Sequence, residues 1–285
     1  MNRAALRFSG VAALVALALL SCAGLPVQAD DAGNPLAVRL ASYGKFQDTA
    51  WEHLPTLGIH YIFLNVPKPD QIDEITKKLA DHKLTALVMR GETDLSKETC
   101  VDELGVQLAT CAKMDVKYMF ISAKRNDAPK EVVIERLRKA GDIAKNYGVT
   151  ITLETHPDLG TNGDVQVETM KAINHPNVRV NFDTGNITYY NKGADAVAEL
   201  KKSIDYVGTV EFKDHDGGLE SWVFPVLGQG IVKFPDVWKV LQTKGYKGPI
   251  TIEFEGTKGV ELTEEQTKEA IAGCVKYARS LGATK

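Results

Sequence analysis

Cysteine is scarce in this chain, with four in 285 residues at Cys22, Cys100, Cys111 and Cys274. None of the spacings is that of a zinc site. If Cys22 is lipidated or removed, three remain, which excludes complete internal disulfide pairing. Cys100 and Cys111 fall on one expected helix, about three turns apart, and cannot bridge there. The three read as small buried apolar residues. An excess of one charge sign is also missing. The chain has 34 Lys+Arg against 37 Asp+Glu, a net charge of -3, without the basic footprint of a nucleic-acid binder. No low-complexity linker divides the sequence, and no Gly-rich dinucleotide loop follows the first strand-like run.

What is present is ordinary for a soluble globular protein, with 44% hydrophobic and 25% charged residues. At this length a single domain requires a large architecture such as an α/β barrel. The beginning of the chain stands apart. Arg3 and Arg7 precede an apolar run from Phe8 to Leu20, thirteen residues, short of the ~20 of a membrane span. This is the pattern of an export signal over 1–29. Leu19-Leu20-Ser21-Cys22 resembles a lipobox, which would leave a lipid-anchored Cys22. Val27-Gln28-Ala29 is an ordinary cleavage site, which would release a soluble chain. Either way the expected location is outside the cytoplasm, periplasmic or membrane-anchored. Any membrane contact is through that lipid alone. Without Arg3 and Arg7, 32 basic residues face 37 acidic ones, so the mature chain sits near -5.

From Pro35 onward β-rich runs alternate with amphipathic ones. Strands are expected over 36–41, 61–65, 85–89, 118–122, 150–155, 178–183, 207–212 and 250–254. Helices are expected over 46–57, 70–81, 97–113, 129–147, 164–173, 194–203, 234–244 and 263–281. Val132, Ile134, Leu137, Ala140, Ile143 and Ala144 illustrate the helical spacing. Several strands are continuous apolar runs, as in a parallel sheet covered by helices. Eight such units over 35–285 predict a (β/α)8 TIM barrel. The longest irregular stretch, 214–232, has the length of a functional lid.

In a barrel the chemistry sits at the C-terminal strand ends. Four late strands end in acids: Leu153-Glu154-Thr155-His156, Asn181-Phe182-Asp183, Glu211-Phe212-Lys213-Asp214-His215 and Ile252-Glu253-Phe254-Glu255. Side chains alternate along a strand, so Glu154 shares a face with His156, and Glu211 with Lys213 and, if extension continues, His215. Four acids at one mouth would repel each other and raise each other's pKa. A divalent cation is the simplest neutraliser. Oxygen-rich ligation suits Mn²⁺, Mg²⁺ or Co²⁺, with Zn²⁺ acceptable.

These segments, together with Asp183-Thr184-Gly185-Asn186, Leu227-Gly228-Gln229-Gly230 and Gly245-Tyr246-Lys247-Gly248-Pro249, resemble the sugar phosphate isomerase/epimerase family of the xylose-isomerase-like TIM-barrel superfamily. The resemblance spans about 36–281. It implies one metal held by acids and a His from strands five to eight, which carries over onto Glu154, Asp183 and Glu253. At the His position this chain has Glu211. Glu211 is expected as the ligand, with His215 the alternative, and loss of the metal is a third possibility. An all-acid site favours Mg²⁺ or Mn²⁺ over Zn²⁺. The resemblance further implies that Glu154 and Glu253 form the acid/base pair on a keto-sugar, with His156, Lys213, His215 and Asn186 toward a small carbohydrate. Epimerisation, isomerisation and elimination share that chemistry. Phosphorylated sugars are mostly cytoplasmic, so an exported member would take an unphosphorylated keto-sugar or glycoside. A keto-glycoside lyase or hydrolase and a non-catalytic carbohydrate-binding lipoprotein are the competing readings. The DNA-repair branch of the superfamily uses more His than this chain supplies.

Overall fold

The apolar runs form eight parallel strands that close on themselves in the computed structural model, which describes residues 33–283 and Met1. The expected signal segment and its two cleavage sites therefore lie outside the described residues. Among the described residues no helix is long and apolar enough to cross a membrane.

The barrel strands are β1 (Leu36–Arg39), β2 (Tyr61–Asn65), β3 (Thr85–Arg90), β4 (Tyr118–Ile121), β5 (Thr150–Glu154), β6 (Val178–Asp183), β7 (Val207–Phe212) and β8 (Ile250–Ile252). Each pairs with its neighbour, and β1 pairs with β8 through Leu36 and Ile250, so the barrel sheet closes without an open edge. The helices are α1 (Ala50–Thr56), α2 (Ile72–Asp81), α3 (Cys100–Lys113), α4 (Lys130–Tyr147), α5 (Gly163–Ile173), α6 (Thr184–Tyr190), α7 (Ala196–Ser203), α8 (Phe234–Lys244) and α9 (Glu264–Leu281). Their apolar stripes cover the outside of the barrel; α4, for example, buries Val133, Ile134, Leu137, Ala140 and Ala144. Cys100, Cys111 and Cys274 are free and buried in that layer. Burial pushes the Cys111 and Cys274 thiols up to about 12, so they stay protonated and inert.

Two departures from the expected elements shape the mouth. β1 stops at Arg39, where the chain enters a 3-10 turn over Leu40–Thr49. That turn is kinked at Gly44, whose φ of 54° suits a residue without a Cβ. Only Ala50–Thr56 of the first expected helix is α-helical. The second departure is α6, which lies between two expected helices where none was expected. The Asp183 side chain caps it, accepting from the Gly185 and Asn186 backbone N–H groups at 2.9 Å each. A Cβ on Gly185 would meet Lys213 Cγ at 2.8 Å. The missing side chain is what lets α6 seat against the end of β7.

The barrel interior is divided by chemistry. On the β2–β4 side it is apolar, filled by Phe63, Val88 and Phe120. On the β6–β7 side it is polar: Thr209 Oγ1 donates to Asn181 Oδ1 at 2.6 Å, and Asn181 Nδ2 donates to Glu211 Oε2 at 3.2 Å. The strand-end acids stand above the polar half.

Candidate active site

Closure of the barrel brings Asp183, Glu211 and Glu253 together. One carboxylate oxygen from each lies within 4.8 Å of the other two, and all three are buried. Asp183 spends Oδ1 on the α6 cap, while its Oδ2 is buried with no hydrogen-bond partner among the described residues. Glu211 Oε2 accepts from Asn181, and its Oε1 is likewise without a hydrogen bond, with the Arg39 guanidinium 3.6 Å away. Glu253 is held at both oxygens, by Arg39 at Oε1 and by Lys213 Nζ at Oε2, the latter at 3.0 Å.

Glu154, expected as a fourth member, stands apart from this trio. Its Oε2 accepts from Ser122 Oγ, and the side chain walls a cleft of about 310 Å³ above the acids. His156 lines the same cleft. Its Nδ1 donates to Pro157 O at 2.6 Å and its ring packs on Tyr190 at 4.8 Å. Asn186 also lines it, donating to Thr155 O at 3.0 Å and accepting from Lys213 Nζ at 3.3 Å. Lys213 pairs with Glu253 and Glu255, rather than with Glu211, and sits 4.2 Å from the Phe224 ring centre.

His215 does not face this cleft, which corrects its expected place as substrate contact or alternative ligand. Its Nδ1 meets Thr188 Oγ1 at 2.8 Å and its Nε2 meets Ser221 O at 2.8 Å, so both ring nitrogens are engaged. Strand alternation had put it beside Glu211, but β7 ends at Phe212 and the chain turns. Asp214 fixes the turn. Its buried carboxylate accepts from the backbone N–H groups of His215, Gly228, Gly230 and Val232, at 2.8 to 3.2 Å. The 214–232 segment is thereby tied down, and a two-stranded ribbon of Val223–Phe224 with Gly256–Thr257 secures its middle. Asp214→Ala would strand four donors at once. It should cost about 3–5 kcal/mol, the scale of breaking a buried charged network, measured by urea denaturation.

Arg39 is the residue that strand-end reasoning on the later strands missed. It reaches in from β1, stacks 5.0 Å from Phe63 and 5.2 Å from Phe120, and pairs with Glu253. The signal was a lone cation closing an otherwise apolar strand. Glu255 was missed too, although it shares its face with Glu253.

Five carboxylates (Glu154, Asp183, Glu211, Glu253, Glu255) therefore surround two buried cations. Burial, with the charge of Glu253 added, pushes Asp183 up to about 8 in spite of Lys213. Burial and Glu253 push Glu211 well above its ordinary range. Burial acts on Glu253 in the same sense, but Arg39 and Lys213 outweigh it and hold that carboxyl below its usual value. Burial opposes the charges of Arg39 and Lys213, yet the surrounding acids raise both. The cluster is short of positive charge at two aimed, donor-free oxygens. A divalent cation with oxygen ligands fits that deficit.

The family model described as xylose isomerase-like TIM barrel matches residues 49–280. An inosose dehydratase of Serratia proteamaculans is 26% identical over 147 residues, 46% of this chain and 49% of that protein. The chain thus aligns with about half the length of that relative. The D-psicose 3-epimerase of Clostridium cellulolyticum H10, solved with D-tagatose, superposes with a TM-score of 0.71 at 16% identity, over 87% of this chain and 99% of the other. A xylose isomerase-like TIM barrel protein from Mycobacterium smegmatis, solved with magnesium, superposes with a TM-score of 0.72 at 17% identity, over 88% and 97%. At these identities the structural likenesses establish the fold.

Proposed function

Because the chain belongs to the xylose isomerase-like TIM-barrel family, we propose that it is an enzyme that moves a proton on the carbon beside the carbonyl of a small keto-sugar, assisted by one divalent metal ion. The observation that carries this reading is the pair of buried carboxylate oxygens beside Glu253, Asp183 Oδ2 and Glu211 Oε1, that lack a hydrogen-bond donor among the described residues. Asp183, Glu211 and Glu253 would hold the ion, and an all-oxygen set suits Mg²⁺ or Mn²⁺ better than Zn²⁺. When bound, such an ion acts as a Lewis acid toward a carbonyl and its neighbouring hydroxyl.

The remaining work falls to the side chains that line the cleft. Glu154 and Glu253 are separate carboxylates on the cleft wall and form the acid/base pair, one removing the proton and the other returning it. Ser122 orients Glu154 by its hydrogen bond. Arg39 and Lys213 keep Glu253 ionised and set fixed positive charge where negative charge develops on substrate oxygen. His156 and Tyr190 orient hydroxyls, and Trp222 with Phe224 supplies an aromatic wall for the sugar ring. Return of the proton to the opposite face gives epimerisation, and return to the next carbon gives isomerisation. Loss of a β-hydroxyl gives dehydration, the outcome favoured by the inosose dehydratase similarity. Export is part of the proposal and rests on Arg3, Arg7 and the apolar run that follows; the N-terminus of the mature protein, read by mass spectrometry, checks it.

The test is metal analysis of the purified chain, then solvent-deuterium exchange in D₂O across ketoses. The expected result is one ion per chain and exchange that Glu154→Gln lowers by about 10²–10⁴-fold. A chain with neither bound ion nor exchange into any ketose removes the reading.

A further inference from the structure

The catalytic cleft shares part of its wall with a second cavity. Trp222 and Glu255 line both, and the second is a groove of about 430 Å³. That groove lies between the 3-10 turn after β1 and the chain that follows β8, and is built from Tyr43, Phe46, Phe254, Val260 and Leu262. Trp222 remains 42% exposed at the junction. Its neighbours Tyr189 and Phe224 stand nearly perpendicular to it, at 84° and 90°, so neither stacks face to face over the indole. The other two tryptophans pack into the barrel shell, Trp51 at 5% exposure and Trp238 against the core. Trp222 is thus the tryptophan set where two cavities meet.

We propose that this groove is a second sugar subsite, and that the substrate is a glycoside of the keto-sugar rather than a free monosaccharide. The inference rests on the keto-sugar reading of the carboxylate site. Trp222 and Glu255 belong to the walls of both cavities, so a substituent on a ring seated over the acids would reach the groove by passing the indole. A pyranose presents an apolar C–H face that covers an aromatic ring, with hydroxyls around its rim. The groove matches that pattern. Its body is aromatic and aliphatic, while Glu255 and the exposed Lys45–Glu261 pair, 3.4 Å apart, supply hydrogen-bonding groups at its margin. Val260, 58% exposed on this margin, is apolar surface that a second ring would cover.

The experiment compares dissociation constants of the full chain, with Mg²⁺ present, for fructose and for three disaccharides that carry a fructose unit: lactulose, turanose and isomaltulose. At least one disaccharide should bind tenfold or more tightly than fructose. Trp222→Ala should lower that ratio at least tenfold. Val260→Arg should do the same from an exposed position that the fold does not need, so it decides alone if the tryptophan variant melts early. Disaccharides that bind no tighter than fructose, or not at all, overturn the proposal, as does a ratio that survives Val260→Arg. Deuterium exchange is read separately. Exchange without a disaccharide preference removes the subsite and leaves the proton-transfer reading. Preference without exchange into any ketose does the reverse.

Discussion

Glu253→Gln is expected to lower deuterium exchange into substrate by at least about 10³-fold, near the upper range for loss of a positioned acid or base. The substitution keeps the shape and removes the charge. Glu253 is the carboxylate that two buried cations hold ionised at neutral pH, so glutamine eliminates the member of the trio best able to take a proton. It also leaves Arg39 and Lys213 without their shared partner. Removing one member of a buried ion pair costs about 3–5 kcal/mol where nothing else compensates. Here compensation is at hand. Glu211 lies 3.6 Å from Arg39, and the charge of Glu253 is one of the forces that keep it protonated. With that charge gone, Glu211 ionises more readily and takes over part of the pairing. The variant should therefore fold, with a loss in urea denaturation of about 1–3 kcal/mol, below the uncompensated cost. Exchange within tenfold of the parent would take Glu253 out of proton transfer.

The barrel and its acidic rim could be read from residue order because both rest on local rules. Helical spacing such as that of Ile134, Leu137 and Ala144 and continuous strand runs such as Val178–Asp183 required no tertiary information, and they gave eight units at nearly the observed bounds. The acids followed from period-two alternation at strand ends. What alternation could not give was anything decided by closure. Arg39 and Glu253 are 214 residues apart, and they meet only because β1 pairs with β8. α6 was missed because Thr-Gly-Asn-Ile-Thr-Tyr-Tyr has poor helix propensity; its start is fixed by the Asp183 cap. His215 was misplaced because alternation was carried one turn too far. The backbone donors of Gly228, Gly230 and Val232 draw the Asp214 carboxylate aside, and the chain leaves the strand direction there. The departures share a cause, since each concerns a polar side chain whose partner lies on another element.

Ion-depleted protein should lose thermal stability as pH rises from about 4 to 8, and added Mg²⁺ or Mn²⁺ should reverse that loss. Asp183 has an ordinary value of 3.8 and is pushed up to about 8 by burial and the charge of Glu253. Across that window the folded chain keeps a proton that the unfolded chain releases. The stabilisation linked to this group is complete below about 4 and is lost as pH climbs through about 8. Glu211, raised for the same reasons, acts in the same direction. A divalent ion needs the carboxylates unprotonated, so protons and ion compete for the oxygens of Asp183 and Glu211. Ion affinity should rise with pH through the window and level off above it. At a concentration 100 times the dissociation constant, binding adds about 2.7 kcal/mol. For a barrel of this size that is an increase of roughly 5–10 °C in Tm, present at pH 8.5 and nearly absent at pH 5.5. Scanning calorimetry of chelator-treated protein at both pH values, with and without Mn²⁺, measures it. Asp183→Asn should flatten both the pH slope and the response to the ion, since the amide neither titrates nor supplies an anionic ligand. A thermal shift that is equal at the two pH values, or that survives this substitution, would mean the ion binds somewhere other than at the buried acids.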